Sequence, residues 1–300
     1  PGFTPLGILT KPTMEIIERL AERREAVTGV PSGFRDLDKL TAGFHPAELV
    51  IIAARPSMGK TALCLNISQY VGIRTDFAVG FFSMEMSQES IVIRLLCADA
   101  LVDIRSARTG YISDREFEKL KLSAEKLARA RVFIDETPAL TLMEMKAKAR
   151  RLKMERNLDI VFIDYIQLMR TGGRFENRNQ EMSFITRSLK ELAKELHIPV
   201  VGISQLSRAP EKGRREPRPQ LSDLRESGAI EQDADVVIFI YRPEMYLSKE
   251  ERLRDVKLQG IAEVNIAKQR NGPTDSVKLA FQDKYAKFSD LDFSYQEIES

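Results

Sequence analysis

The chain has 300 residues, of which 43% are hydrophobic, so it carries enough apolar material for one large buried core. Its 46 Lys and Arg residues nearly balance 44 Asp and Glu residues, which excludes an overall basic excess and leaves any nucleic-acid surface to local patches. Two distant histidines are poor material for a zinc site or a Ser-His-Asp triad, and no apolar run approaches the ~20 residues of a membrane span.

The first segment, residues 1–28, is predicted to be a linker that ends in one amphipathic helix. A loop rich in Pro and Gly comes first, and the helix follows in the sequence MEIIERLAERREA, where Ile16 and Ile17 belong to one apolar stripe. The helix could pack on its own domain, but its isolation before that domain favours docking on a partner. Because the chain begins at Pro1 without a methionine, we expect a longer parent protein.

From Val30 onward, short apolar runs alternate with helical patterns, which is typical of a sheet buried on both faces. The fold class is therefore α/β with a mostly parallel central sheet and helices on both faces. Cys64 and Cys97 lie in apolar helical patterns and are expected to be reduced core thiols of a cytoplasmic protein. The predicted parallel strands are ELVIIAA, FAVGFFS, RVFID, LDIVFID, IPVVGIS and ADVVIFIY, and IAEVNIAKQ and SVKLAFQ are predicted to form an antiparallel extension.

A phosphate-binding loop follows the first strand and opens a helix, so that backbone N–H groups and the helix N-terminus would face the phosphates of a nucleotide. Within it, Lys60 would reach the β- and γ-phosphates of ATP and the Thr61 hydroxyl would bind Mg²⁺. The loop begins with Ala54 where the pattern has Gly, which is tolerable if φ stays negative there. The predicted nucleotide contacts are Ala54, Arg55, Pro56, Ser57, Met58, Gly59, Lys60 and Thr61.

Three further side chains follow apolar strands at positions suited to nucleotide chemistry. Asp164 is expected at the tip of a strand beside the phosphate-loop strand, where it would bind the Mg²⁺, although it could be a helix cap. Glu85 is a candidate general base for the attacking water, with Glu89 in the next helix as its rival. Gln205 could sense the γ-phosphate, or could be a surface glutamine.

The strand in IAEVNIAKQRNG carries an apolar stripe that ends in two cations. Strict alternation would place Ala262, Val264, Ile266, Lys268 and Arg270 on one face, holding both cations at the edge of the sheet. A guanidinium there could stabilise charge on a γ-phosphate. The alternative is a pair of solvated cations at a strand end.

Two loops after the strands that bear Asp164 and Gln205 are locally basic, and Gly and Pro keep them as loops. Such loops would bind nucleic-acid phosphates without sequence preference, although charge runs are often only solvated surface. The first loop carries Arg170, Arg174 and Arg178, and the second carries Arg208, Lys212, Arg214, Arg215 and Arg218.

Taken together and in this order, ARPSMGKTA, FFSMEMS, VFIDYIQLM, ISQLSR, LSDLRESGAIEQDAD and AKQRNGP resemble the C-terminal motor domain of DnaB-family replicative helicases. The resemblance covers about Gly29 to Phe288 and implies a RecA-like fold, with residues 29–300 as the motor and the family's N-terminal domain absent. It also implies a homohexamer that hydrolyses ATP at subunit interfaces, translocates on single-stranded DNA, and works with a primase and a helicase loader.

The resemblance also assigns roles by position. The catalytic glutamate falls on Glu85, the loop lysine and threonine on Lys60 and Thr61, the Mg²⁺ aspartate on Asp164 and the phosphate sensor on Gln205. The basic pair that reaches the neighbour's nucleotide falls on Lys268 and Arg270, the DNA contacts on Arg225, Glu226 and Gly228, and the linker helix on Met14 to Ala26. One departure is Asp275, where the family has Gly.

Two other functions remain open from the residues alone. One is a recombinase-like ATPase that forms filaments and does not translocate as a closed ring. The other is a nucleotide-gated assembly module that recruits a primase or a loader, against which Glu85 argues because an assembly module needs no general base.

Overall fold

The predicted strands lie side by side in one nine-stranded sheet of the computed structural model, which describes residues 2–23, 26–173, 175–206, 218–247 and 258–291. All eight predicted strands form, and a ninth follows them at the C-terminal end. The strands are β1 (Leu49–Ala54), β2 (Ala78–Ser83), β3 (Val132–Asp135), β4 (Leu158–Asp164), β5 (Val200–Gln205), β6 (Val236–Tyr241), β7 (Ile261–Gln269), β8 (Ser276–Gln282) and β9 (Lys287–Asp290).

The helices cover both faces of this sheet, as two separate apolar clusters show. Helices α2, α3 and α4 pack on one face, and α7, α8 and α9 pack on the other. The helices are α1 (Leu6–Arg23), α2 (Arg35–Thr41), α3 (Lys60–Arg74), α4 (Gln88–Ala100), α5 (Ile104–Thr109), α6 (Asp114–Leu127), α7 (Leu142–Arg156), α8 (Arg178–Leu196) and α9 (Gly228–Asp233). Cys64 and Cys97 are free thiols buried in this core.

The strand order is β3-β2-β4-β5-β1-β6-β7-β8-β9. The first six strands in this order, from β3 across to β6, pair in parallel. The remaining neighbours, from β6 across to β9, pair antiparallel. The α/β class and its antiparallel extension are therefore confirmed. One expectation was wrong: β4 does not lie beside the phosphate-loop strand β1, because β5 is inserted between them and pairs with both.

The register of β7 corrects a second expectation. Val237 of β6 pairs with Lys268, and the next residue, Ile238, pairs with Ile266, so Ala267 is an extra residue in a β-bulge. Ala262, Val264 and Ile266 pack on the face covered by α2, α3 and α4. Ala267 and Val237 belong to the apolar cluster on the other face. Residues opposite each other in a sheet share a face, so the bulge moves Lys268 and Arg270 away from the apolar stripe.

The N-terminal helix is longer than the sequence pattern suggested. It begins at Leu6 and includes Pro12, so the loop predicted before Met14 is wrong for these residues. The Thr10 and Thr13 hydroxyls donate to the carbonyls of Leu6 and Leu9, each four residues earlier, as threonine side chains do within a helix. The apolar side chains of α1 remain accessible, with Ile16 49% and Ile17 50% exposed, so in the described part of the chain they are not buried against the sheet domain.

Within the described ranges, no helix is long and apolar enough to cross a membrane.

Candidate active site

The phosphate-binding loop joins the buried end of β1 to α3, and two of its residues adopt left-handed backbone conformations. Ser57 has φ 66° and Gly59 has φ 96°. A Cβ at Gly59 would lie 2.9 Å from the Phe288 ring, so both the backbone conformation and the close packing require glycine. Ala54 ends β1 outside the left-handed region, which meets the condition under which alanine can replace glycine there.

Helix α3 brings Lys60 and Thr61 to the carboxyl edge of the sheet. The Thr61 hydroxyl donates to Asp164 Oδ2 at 2.7 Å, although one strand separates β1 from β4. Lys60 is only 8% exposed, and this burial lowers its pKa, while the charges of Asp164 and Glu85 act in the opposite direction. The structure therefore gathers these four predicted side chains at one point.

Asp164 is 1% exposed, and burial raises its pKa to about 6 although the Thr61 hydrogen bond and the charge of Lys60 lower it. Its Oδ1 atom is buried and has no hydrogen-bond partner among the described residues. A buried, unpartnered carboxylate oxygen beside a threonine hydroxyl is a donor set that suits Mg²⁺, which prefers hard oxygen ligands and completes its shell with water and substrate phosphates. The residues present therefore fit the ion.

Glu85 and its rival Glu89 take different places. Glu85 follows β2 and lines the same cleft as Lys60 and Thr61, and its charge acts on Asp164. Glu89 lies in the first turn of α4 and is exposed, and it is not among the residues that line the cleft. The geometry favours Glu85 as the candidate base.

The cleft has a volume of about 990 Å³. From the loop it is lined by Pro56, Ser57, Gly59, Lys60 and Thr61, whereas Ala54, Arg55 and Met58 are buried behind them. Among the described residues, five cations line it against three carboxylates, a balance that suits a polyanion such as a triphosphate. The cations are Lys60, Arg94, Arg105, Arg108 and Lys284, and the carboxylates are Glu85, Asp103 and Asp283.

Four of those cations were missed by the sequence analysis. Arg94 lies on α4, and its charge lowers the pKa of Asp164. Arg105 and Arg108 lie on α5, and Lys284 lies in the turn between β8 and β9. No local pattern marks them, because charged residues on surface helices and turns are common; only the packing of α4, α5 and the β8–β9 turn beside the phosphate-binding loop brings them to the cleft.

Gln205 ends β5, is exposed and lines the cleft, in register with Ala54 of β1. Its backbone is held by Gln167, another residue that the sequence analysis missed: Gln167 Nε2 donates to the Gln205 carbonyl at 3.1 Å. Gln167 also donates to the Ser204 hydroxyl at 2.8 Å. The predicted sensor position is thus fixed by side-chain contacts as well as by the sheet.

Lys268 and Arg270 lie near the start of β1, whereas the cleft lies at the other end of that strand. The Lys268 ammonium donates to the carbonyls of Glu231 at 2.5 Å and Ala234 at 2.7 Å, at the end of α9. Arg270 donates to the Gln232 carbonyl at 2.9 Å and lies 3.3 Å from Asp235, which also hydrogen-bonds the start of β1.

The predicted DNA contacts divide into described and undescribed positions. Arg178 begins α8, where its guanidinium donates to the Gln167 carbonyl and pairs with Glu181. Arg225 and Glu226 lie in the 3-10 helix Leu221–Ser227, and Gly228 begins α9. Arg218 forms a bidentate ion pair with Glu263, which ties down the end of the second basic loop. Outside the described residues lie Arg174, Arg208, Lys212, Arg214 and Arg215.

Asp275 replaces the glycine of the family pattern without strain. Its φ is not in the left-handed region, and its carbonyl accepts from Ile266 N–H at 2.8 Å while its carboxylate accepts from Ser276 N–H at 2.7 Å. The β7–β8 connection therefore does not need glycine at this position.

A parallel sheet with a phosphate-binding loop after one strand, a buried aspartate after another and an antiparallel C-terminal extension defines a RecA-like P-loop fold. The chain belongs to the DnaB-like helicase C terminal domain family, which it matches over residues 29–290.

Comparison with solved structures supports the same family membership. The chain superimposes on a solved ATPase domain with a TM-score of 0.86 and 35% identity, covering 94% of this chain and 98% of that one. A DnaB-like replicative helicase, solved in a study of its interactions with primase, gives a TM-score of 0.83 and 34% identity over 97% of this chain and 68% of that one.

Among curated relatives, the replicative DNA helicase DnaC of Bacillus subtilis (strain 168) is 46% identical over 286 residues, or 95% of this chain. The replicative DNA helicase DnaB of Geobacillus stearothermophilus is also 46% identical, over 288 residues or 96% of this chain. The chain spans 62% of the length of each of these relatives.

Proposed function

We propose that this chain is the ATP-driven motor of a cytoplasmic replicative DNA helicase, which hydrolyses ATP at the subunit interfaces of a homohexamer to translocate on single-stranded DNA and unwind duplex. The observation that carries the proposal is the Thr61–Asp164 contact of 2.7 Å beside buried Lys60, in a cleft that Glu85 also lines. Family membership supports the DNA-directed part.

Each residue of the cleft has a distinct task in hydrolysis. Lys60 and the loop N–H groups bind the β- and γ-phosphates, and Thr61 and Asp164 hold Mg²⁺, which neutralises charge on the phosphates when bound. Glu85 accepts a proton from the attacking water. Gln205 contacts the γ-phosphate and registers its loss at the end of β5.

The position of Arg270 supports assembly-dependent hydrolysis. Its backbone N–H donates to Asp235, whose own N–H donates to Leu49 at the start of β1, whereas the phosphate loop follows the end of β1. Because β1 has six residues, its start beside Arg270 and its end beside the phosphate-binding loop are roughly 16 Å apart. Arg270, with Lys268, therefore serves a phosphate bound by a neighbouring subunit, as in an arginine finger.

The exposed apolar side chains of α1 support docking of this helix on a neighbouring subunit, because the described residues of its own domain do not cover them. We divide the chain accordingly into a linker with a docking helix, residues 1–28, and a motor domain, residues 29–300.

DNA and partner contacts complete the proposal. The basic segments that contain Arg174, Arg178, Arg208 and Arg214, with Arg225, Glu226 and Gly228, contact the phosphates of single-stranded DNA in the pore of the ring. A primase is a proposed partner because a structural neighbour was solved in a study of its interactions with primase. A helicase loader is a further proposed partner.

The proposal is tested by unwinding of a forked duplex with ATP and Mg²⁺, together with native mass measurement with and without ATP and single-stranded DNA. Unwinding by a hexamer supports it. DNA-dependent hydrolysis by filaments without unwinding would instead indicate a recombinase-like ATPase, and ATP binding without turnover would indicate an assembly module.

A further inference from the structure

The hydrogen-bonded pairing of β4 and β5 stops before either strand ends. The register runs from Val161 and Val200 to Ile163 and Gly202, whereas β5 continues to Gln205. Among the described residues, the tip of β5 thus has no backbone partner on the β4 side, at the end of the sheet where the nucleotide cleft lies.

The side chain of Gln167 takes over where the backbone pairing stops. It lies in the turn Ile166–Leu168 that follows β4, and its Nε2 donates to the Ser204 hydroxyl at 2.8 Å and the Gln205 carbonyl at 3.1 Å. In return, Gln205 N–H donates to Gln167 Oε1 at 3.3 Å. An uncharged amide is suited to this position because it is both donor and acceptor at one end of a single side chain.

The backbone of Gln167 extends the same connection toward the first basic loop. Its carbonyl accepts from the Arg178 guanidinium, which also pairs with Glu181. Glu181 accepts from the Thr171 hydroxyl at 3.1 Å. Thr171 and Arg178 stand at the two ends of that loop, so an unbroken series of contacts joins it to the tip of β5.

We infer that Gln167 is a positioning residue that couples the phosphate-facing tip of β5 to the DNA-facing loop between Thr171 and Arg178. When a DNA phosphate draws the Arg178 guanidinium away from the Gln167 carbonyl, the turn can shift, and the amide carries that shift to Gln205. This inference rests on the proposed function, because it assumes that Gln205 faces a phosphate and that Arg178 meets DNA.

The test compares ATP hydrolysis with and without saturating oligo-dT for the parent and for Gln167→Leu, which keeps the side-chain bulk and removes every amide hydrogen bond. We expect the ratio of the two rates to fall about fivefold or more, the lower end of typical coupling between two sites. ATP affinity and the thermal midpoint should stay near those of the parent.

Two further variants keep the test decisive. Gln69→Leu is the matched control, because its amide makes a 3.3 Å bond to the Leu95 carbonyl far from the loop, and it should keep the parent's ratio. Gln167→Glu keeps the length and the acceptor of the side chain but loses both donors, so it should lose stimulation even if Gln167→Leu lowers the thermal midpoint.

A double-mutant cycle then separates coupling from a general loss of structure. If Gln167 and Arg178 act through one connection, Gln167→Leu should add little to the loss of stimulation in Arg178→Ala at saturating DNA. Additive losses, or an unchanged ratio in both Gln167 variants, would overturn the inference. A parent protein that DNA does not stimulate at all would instead refute the proposed function.

Discussion

Thr61 and Asp164 are 103 residues apart in sequence and lie on elements that do not pair, yet the threonine hydroxyl donates to the carboxylate at 2.7 Å. The phosphate-binding loop and the first turn of α3 place Thr61 beside the end of β4, although β5 lies between β1 and β4. The remaining carboxylate oxygen, Oδ1, is buried without a partner among the described residues. The pair thus has a free ligand position that points to a cation.

Asp164→Asn should raise the stability of the metal-free protein at neutral pH. Burial raises the carboxyl pKa from 3.8 to about 6, so the folded state binds its proton more tightly than the unfolded chain does. The parent's free energy of unfolding therefore falls as pH rises from about 4 to about 6 and stays lower above, by roughly 3 kcal/mol from this group.

Denaturant unfolding of parent and variant in EDTA at several pH values measures this effect. The advantage of Asn should be largest near pH 8 and should shrink below about pH 5, where the parent carboxyl is protonated too. A variant less stable than the parent near pH 8 would contradict the argument. Binding of Mg²⁺-ATP should weaken in the variant whatever its stability.

Glu85→Gln should bind ATP but lose steady-state hydrolysis by about 10² to 10⁴, because an amide cannot accept the proton of the attacking water. Measuring ATP affinity and turnover on the same preparation separates the two effects. Glu89→Gln is the control, since that residue is not among those lining the cleft, and it should hydrolyse ATP like the parent. Turnover of Glu85→Gln within threefold of the parent would move the base elsewhere.

Arg270→Ala should bind ATP and lose about 10³ of the hydrolysis rate, the usual effect of removing an arginine finger. Mixing it with Lys60→Ala protein should restore some activity, because one interface can then combine an intact phosphate loop with an intact Arg270. No rescue in hexamers shown to be mixed would count against action on a neighbour's nucleotide.

Lys268→Ala should lower the free energy of unfolding more than Arg270→Ala does. The Lys268 ammonium binds carbonyls at the end of α9, whereas half of the Arg270 side chain is exposed. We expect Lys268→Ala to lower the free energy of unfolding by about 1–3 kcal/mol, since the ammonium makes charge-assisted hydrogen bonds. An unchanged thermal midpoint would show that these bonds do not stabilise the fold.

Arg225→Ala should weaken binding of single-stranded DNA to a similar extent on every sequence. A phosphate contact releases counterions without reading bases, so the slope of log affinity against log salt should decrease in size by about 1. Titrations of labelled oligo-dT and of a mixed sequence at several salt concentrations measure both quantities. A loss confined to one sequence would indicate base recognition instead.

The sequence by itself determined the strands, the phosphate loop and the identity of the residues that follow the strands. Each of these follows from local chemistry: continuous apolar runs predict a sheet covered on both faces, and Lys60 and Thr61 open a helix directly after such a run. The C-terminal alternation likewise predicted β7 and β8, because period-two patterns depend only on neighbouring residues.

Tertiary structure alone decided how these pieces meet. It inserted β5 between β1 and β4, and it placed a bulge at Ala267 that carries Lys268 and Arg270 to the opposite face. A bulge changes the pairing of two strands while leaving each strand's sequence pattern almost intact, so alternation along one strand could not reveal it. The sequence could not reveal the roles of Arg94 and Gln167 either, because these roles depend on partners supplied by distant parts of the chain.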